Sequence, residues 1–199
     1  SLKMTVWIFE RTLSVGILAV VIIFQPELRR ALEQIGRGKF IGNINFFSND
    51  EKMSENTALA MILAIRQMAQ AKTGALIAVE NKVPLDEYEQ TGIAIDAKVS
   101  SQLLINIFEH NTPLHDGAVI LRKNRVLAAT CYLPLSENNM ISKELGTRHR
   151  AALGLSEVTD SKVFIVSEET GQVSMACNGQ LYRGIDENFI RRELLGDAE

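Results

Sequence analysis

The chain is poor in the residues that mark the commonest metal and covalent sites. Its 199 residues hold two cysteines, three histidines, four prolines and one tryptophan. Cys131 and Cys177 sit in apolar, strand-like runs with no second Cys or His at ligand spacing, which argues against a disulfide scaffold and a paired-cysteine zinc site. They read as reduced core residues of an intracellular protein. A basic excess is missing too: at a formal charge of -3 the chain lacks the net cationic character that releases counterions from a polynucleotide, so no nucleic acid is expected as a partner. There is no GxxxxGK followed by Ser or Thr and no GxGxxG after a strand, and Gly36-Arg37-Gly38-Lys39 is a superficial echo of such a cradle. Gly154-Leu155-Ser156-Glu157-Val158 lacks the second glycine of GxSxG, no HExxH occurs, and there is no internal repeat. What the chain does have is apolar mass: 46% of its residues are hydrophobic, enough for one well-buried core.

Long hydrophobic runs are also scarce. Residues 13–24 (LSVGILAVVIIF) carry no charge, but twelve residues span only about 18 Å as a helix against roughly 30 Å of hydrocarbon core. Extending the run upstream meets Glu10 and Arg11. The chain opens on Ser rather than Met, which reads as the end of a membrane segment whose earlier spans have been removed. Arg29, Arg30, Arg37 and Lys39 follow the run and, by the positive-inside tendency, put everything downstream on the cytoplasmic side of a cell membrane. An amphipathic helix packed on the domain or on a dimer partner is the alternative. The expected organisation is residues 1–37 as the end of a transmembrane segment plus an amphipathic connecting helix, 38–53 as a linker, and 54–199 as the catalytic domain.

Within that domain the pattern predicts a helix capped by Ser54 and stopped by Gly74, with Leu59, Ile62, Leu63, Arg66 and Ala69 along its largely apolar stripe. Strands are predicted over 75–80, 92–99, 117–122 and 125–133. A helix over 101–109 turns Leu104, Ile105 and Phe108 inward, and another covers 147–154. Strands 163–166 and 173–177 pair across the turn at 169–171, Asn178-Gly179 signals a hairpin, and residues 186–195 close with a helix. Helices and strands alternate but hairpins intervene, so the expected fold is α/β, a mixed, twisted central β-sheet flanked by helices.

Three strings carry the chemistry. His115-Asp116-Gly117-Ala118 delivers a carboxylate to the mouth of an apolar strand, with a glycine that leaves the backbone approachable; a plain turn is the other reading. In Gly146-Thr147-Arg148-His149-Arg150, an N-cap at Thr147 would crowd three basic residues into a helix's first turn, where the macrodipole disfavours them unless an anion is bound. The competing reading is a solvated basic face. Ser167-Glu168-Glu169 follows a strand and could hold Mg²⁺ or Mn²⁺ beside a triphosphate or merely cap a turn, and His115 could ligate Mn²⁺ or Co²⁺ or simply be hydrogen-bonded.

Taken together, the Asp-Gly-Ala and Arg-His-Arg strings, about 30 residues apart, resemble the two motifs of the diadenylate cyclase domain, with the resemblance running over roughly residues 53–195. The stretch FQPELRRALEQIGRG and the apolar start are similar to the membrane-anchored, CdaA-type branch, which carries three N-terminal transmembrane helices. The resemblance implies condensation of two ATP into the second messenger cyclic di-AMP with release of two pyrophosphates, across a face-to-face homodimer and with a divalent metal (Mn²⁺, Mg²⁺ or Co²⁺). It implies Asp116 as the catalytic carboxylate and, with His115, a metal ligand. ATP would be bound by Gly117 and Ala118, by Tyr132 and Leu133 at adenine, by Gly146, Thr147, Arg148, His149 and Arg150 at the phosphates, and by Ser167, Glu168 and Glu169 near phosphates and metal. It further implies a YbbR-type membrane regulator and phosphoglucosamine mutase as partners. A module that binds ATP or a cyclic dinucleotide without turnover is the alternative, as is a membrane-attached scaffold.

Overall fold

A computed structural model of the chain describes residues 53–137 and 146–196, together with positions 3, 4, 6, 7, 9, 11 and 25. The charge-free run at 13–24, the basic cluster after it and all of the linker but Met53 lie outside the described residues. Two compact units divide at residue 49, Ser1–Asn49 and Asp50–Glu199. Among the described residues no helix is long and apolar enough to cross a membrane.

The second unit is built on one seven-stranded mixed sheet. In chain order its elements are α1 (Glu55–Ala71), β1 (Ala75–Val79), α2 (Asp86–Glu89), β2 (Ile93–Lys98), α3 (Ser101–Phe108), β3 (Ala118–Arg122), β4 (Arg125–Cys131), α4 (Thr147–Val158), β5 (Lys162–Val166), β6 (Val173–Cys177), β7 (Gln180–Arg183) and α5 (Glu187–Leu195). The strand order is β2-β4-β3-β1-β5-β6-β7. The β1–β3 pair is parallel, and each of the other neighbouring pairs is antiparallel. This is the mixed α/β fold expected from the sequence.

The central strands β1, β3 and β5 are buried on both faces, which is why they read as continuous apolar runs rather than alternating ones. Their side chains still sort by the two-residue period. Ile77, Val119, Leu121, Phe164 and Val166 join the core beneath α1, α3 and α5, whereas Leu76, Ala118, Ile120, Val163 and Ile165 join the core shared with α4. At roughly 25 cal/mol per Å² of apolar surface, these two layers are the dominant stabilising term.

Several local expectations need correcting. Ser54 does cap α1, its hydroxyl accepting from the Thr57 N–H at 3.2 Å. The helix runs 17 residues to Ala71, close to the expected length, but Lys72 rather than a glycine takes the left-handed position (φ 55°), and its N–H donates to the Ala69 carbonyl at 3.2 Å. The buried face of α1 is Ala58, Met61, Ile62, Ala64, Ile65 and Met68, while Leu59, Leu63 and Arg66 face outward. In α3 it is Ile107 rather than Ile105 that is fully buried beside Leu104 and Phe108. Helix α4 runs on through Gly154 to Val158. A Cβ on Gly154 would stand 2.2 Å from the Pro134 carbonyl oxygen and 2.7 Å from the Ser136 nitrogen, so this glycine lets the segment after β4 cross the helix instead of ending it. Asn178 and Gly179 both take positive φ, 49° and 71°, and turn β6 into β7 as the hairpin signal required.

Candidate active site at one end of the central strands

The parallel pair decides where reactive side chains collect. Because β1 and β3 run together, the residues entering both strands lie at one end of the sheet's strands; β4 and β5 run against them, so the residues leaving those strands lie at the same end. Gly74, Asp116-Gly117, Tyr132-Leu133 and Ser167-Glu168-Glu169 are thereby gathered from four separate stretches of chain. The first turn of α4 completes the ring.

A cavity of about 560 Å³ opens there. Its lining draws on Asp116 and Gly117, on Tyr132, Leu133 and Leu135, on Gly146, Thr147, Arg148 and His149, and on Ser167, Glu168 and Glu169, with the apolar residues Leu76, Cys131, Ala151 and Val166. The acidic string and the basic string therefore meet around one space. Ala118, Arg150 and His115 are not part of the lining. Ala118 is wholly buried in the sheet, and Arg150 donates to the Ser136 carbonyl at 3.1 Å. His115 has Nδ1 at 2.6 Å from the Thr112 carbonyl. A carbonyl can only accept, so Nδ1 is the donor in this contact.

The helix N-cap is Gly146, in extended backbone and without a side-chain hydrogen bond, rather than Thr147, which is the first helical residue. Arg148, His149 and Arg150 still fall in the first turn, and that turn contains no acidic residue. Arginines over the positive end of a helix leave that end without the compensating negative charge it favours. Arg148 meets its nearest carboxylate at Glu168, Nη1 to Oε2 2.6 Å, in a partly exposed pair of the kind worth at most about 1 kcal/mol. Burial lowers the pKa of His149 below the ordinary histidine value, with Arg183 adding to the fall and Glu169 opposing it. His149 is accordingly neutral at pH 7 and offers a hydrogen bond rather than a charge.

The backbone around Asp116 is tightly specified. Gly117 has φ 98°, and a Cβ there would lie 2.8 Å from the Thr130 carbonyl carbon. Thr130 itself is left-handed, φ 57°, unusual for a β-branched residue, and it kinks β4 just before Cys131 and Tyr132. Burial first, then Glu89, pushes the Cys131 thiol up to about 11, so it stays protonated and serves as cavity floor.

Sequence reasoning missed Gly74, which it took for a helix terminator. A Cβ there would fall 2.6 Å from Arg148 Nη1 and 2.9 Å from Glu168 Oε2. A glycine opening a buried strand was the available signal, but its two neighbours lie far along the chain. Leu76, Cys131, Leu135, Ala151 and Val166 went unassigned because apolar residues in strands and helices read first as core. Among the described residues no group of three or more His, Cys, Asp or Glu side chains converges as a metal cluster.

Comparison with known proteins bears on the family and the fold. The family described as "DisA bacterial checkpoint controller nucleotide-binding" matches residues 62–181. The chain is 54% identical over 188 residues to the cyclic di-AMP synthase CdaA of Bacillus subtilis, covering 94% of this chain and 68% of that protein. It is 50% identical over 189 residues to a diadenylate cyclase of Listeria monocytogenes, covering 95% and 68%. Among solved structures, a double mutant of DacA from Staphylococcus aureus superposes with a TM-score of 0.70 at 44% identity, covering 75% of this chain and all of that one. A hypothetical membrane-spanning protein of Bacillus cereus gives 0.65 at 34% identity, covering 92% of each. With a domain match over more than half its length and this identity to enzymes so named, the chain belongs to the diadenylate cyclase family.

Proposed function

We propose that this chain condenses two ATP molecules into cyclic di-AMP and two pyrophosphates, each active site holding one ATP. The observation that carries the reading is the convergence of Asp116 with Thr147, Arg148 and His149 on one cavity. Its volume, about 560 Å³, is in the range of single small-ligand sites. Closing a ring from two nucleotides needs each to give a 3′-hydroxyl and receive one at its α-phosphate, so two such cavities facing each other across a two-fold axis are the economical catalyst.

Within one cavity the roles follow from chemistry. Asp116, exposed at a rigid strand mouth, orients and deprotonates the 3′-hydroxyl. The backbone N–H groups at the start of α4 and the Arg148 guanidinium bind the phosphates, Arg148 exchanging its weak pair with Glu168 for a denser anion. Tyr132 and Leu133 pack on the adenine. Ser167, Glu168 and Glu169 border the phosphate end, and Arg150 acts from behind by holding the Ser136 carbonyl. A hard cation such as Mg²⁺ or Mn²⁺ would be held by Asp116 together with substrate phosphate oxygens, the oxygen donors such ions prefer. When bound it neutralises charge on the triphosphate. His115, whose Nδ1 faces the Thr112 carbonyl, would reach such a cation through Nε2 and only from outside the cavity lining. Attachment to a cell membrane through residues before 54, with the domain on the cytoplasmic side, accords with the charge distribution of the N-terminal stretch and with the CdaA-type relatives. A YbbR-type regulator and phosphoglucosamine mutase remain the partners that the family likeness implies.

The test is direct. Incubation with ATP and Mn²⁺ should yield cyclic di-AMP and pyrophosphate in a 1:2 ratio by chromatography. Tight ATP binding without product would turn the protein into a sensor, and no ATP-dependent rise in melting temperature would remove nucleotide from the picture.

A further inference from the structure

Tyr132, 75% exposed beside the cavity, sits one residue past the end of β4, where the ladder no longer supplies a partner for its N–H. Thr91 supplies it. The Tyr132 N–H donates to Thr91 Oγ1 at 2.9 Å, and the Thr91 hydroxyl spends its single hydrogen on the Tyr88 carbonyl at 2.6 Å. Toward Tyr132 that oxygen can therefore only accept, and the contact has a fixed direction.

The support behind Thr91 is rigid despite the brevity of α2. Arg122 reaches Glu80 through Nε at 2.5 Å and Asp86 of α2 at 2.6 Å, while the Glu80 carboxylate also accepts from the Leu85 N–H at 2.8 Å. Leu85 is wholly buried. Next to Thr91, Gly92 passes so close to β4 that a Cβ would lie 2.4 Å from the Ala129 carbonyl oxygen and 2.5 Å from Cys131 Sγ. The chain after α2 is thus pressed onto the strand at the point where Thr130 kinks it.

We propose that Thr91 is a positioning residue for base recognition: it anchors the Tyr132 backbone and so fixes the adenine-facing wall of the cavity, without touching the nucleotide. The inference rests on the cyclase reading and deepens it. Thr91 is exposed and its loss lets water satisfy the Tyr132 N–H, so the effect falls on the placement of the wall and not on the fold.

The experiment compares Thr91→Val, which keeps the branched shape, with Thr91→Ser, which keeps the hydroxyl, by calorimetric titration with ATP and with inorganic tripolyphosphate. For Thr91→Val, ATP affinity should fall about three- to tenfold, the equivalent of one net hydrogen bond. Tripolyphosphate affinity and melting temperature should stay at wild-type values, and Thr91→Ser should bind ATP as the wild type does. Unchanged ATP affinity in Thr91→Val, an equal loss for both ligands, or failure of Thr91→Ser to restore binding would each overturn the proposal. A wild-type chain that binds no ATP would bring down the cyclase reading itself, and this inference with it.

Discussion

Replacing Gly74 by alanine should damage nucleotide binding while sparing the fold. The new methyl carbon would be 2.6 Å from Arg148 Nη1, 2.9 Å from Glu168 Oε2 and 3.0 Å from Arg148 Cζ. Ordinary contact begins near 3.4 Å, so the guanidinium must retreat by about 0.8 Å. Both neighbours are the far ends of long side chains and can rotate away, and Gly74 is not left-handed, so the folded backbone accepts alanine and the unfolded chain loses entropy; net stability should change by less than about 1 kcal/mol. The same retreat pulls Nη1 out of line with a phosphate oxygen. A charge-assisted hydrogen bond of about 1.5–3 kcal/mol is at stake, which converts to a ten- to hundredfold weaker ATP Kd. Titration calorimetry gives the Kd and a denaturant melt the stability. An ATP Kd within twofold of wild type would show that Arg148 does not bind phosphate from the position described, and an unfolded variant would show that the site is less compliant than argued.

Asp116→Asn should bind ATP within about threefold of wild type yet lose at least a hundredfold in cyclic di-AMP formation, read by product chromatography; comparable turnover would remove the carboxylate from proton transfer. His149 has its pKa lowered by burial, so the unfolded chain takes up a proton before the folded one does as pH falls. Its contribution to stability is complete above about pH 6.5 and is lost below, so the gap in melting temperature between wild type and His149→Gln should be constant above that pH and shift against the wild type under acid conditions. Gly154→Ala meets backbone atoms that cannot rotate away, and a denaturant melt should show a loss of about 1–3 kcal/mol.

The strings that carry the site were legible because each is local: a carboxylate before a strand and basic residues in a helix's first turn can be recognised within a few residues. Their meeting was legible only through family likeness, since it depends on β1 and β3 running parallel, a pairing that no short window encodes. The face of α1 was misjudged because hydrophobicity favoured Leu59 and Leu63, whereas the tight approach of helix to sheet selects Ala58, Ala64 and Met61. The cap of α4 fell one residue from Thr147 because extended Gly146 can take that place without any side-chain bond. Gly74 and Thr91 were invisible for a common reason: what matters about each is a contact with a residue tens of positions away.

Ser54, where the chain enters the domain, is tied by its N–H to Asn124 Oδ1 at 2.8 Å, in the turn between β3 and β4. That turn is at the strand ends opposite the cavity, because β3 starts at the cavity and runs away from it. The seventeen residues of α1, about 25 Å of helix, carry the chain from one end of the strands to the other. The chain therefore enters this unit at the strand ends opposite the cavity, and α1 is the element that connects the two.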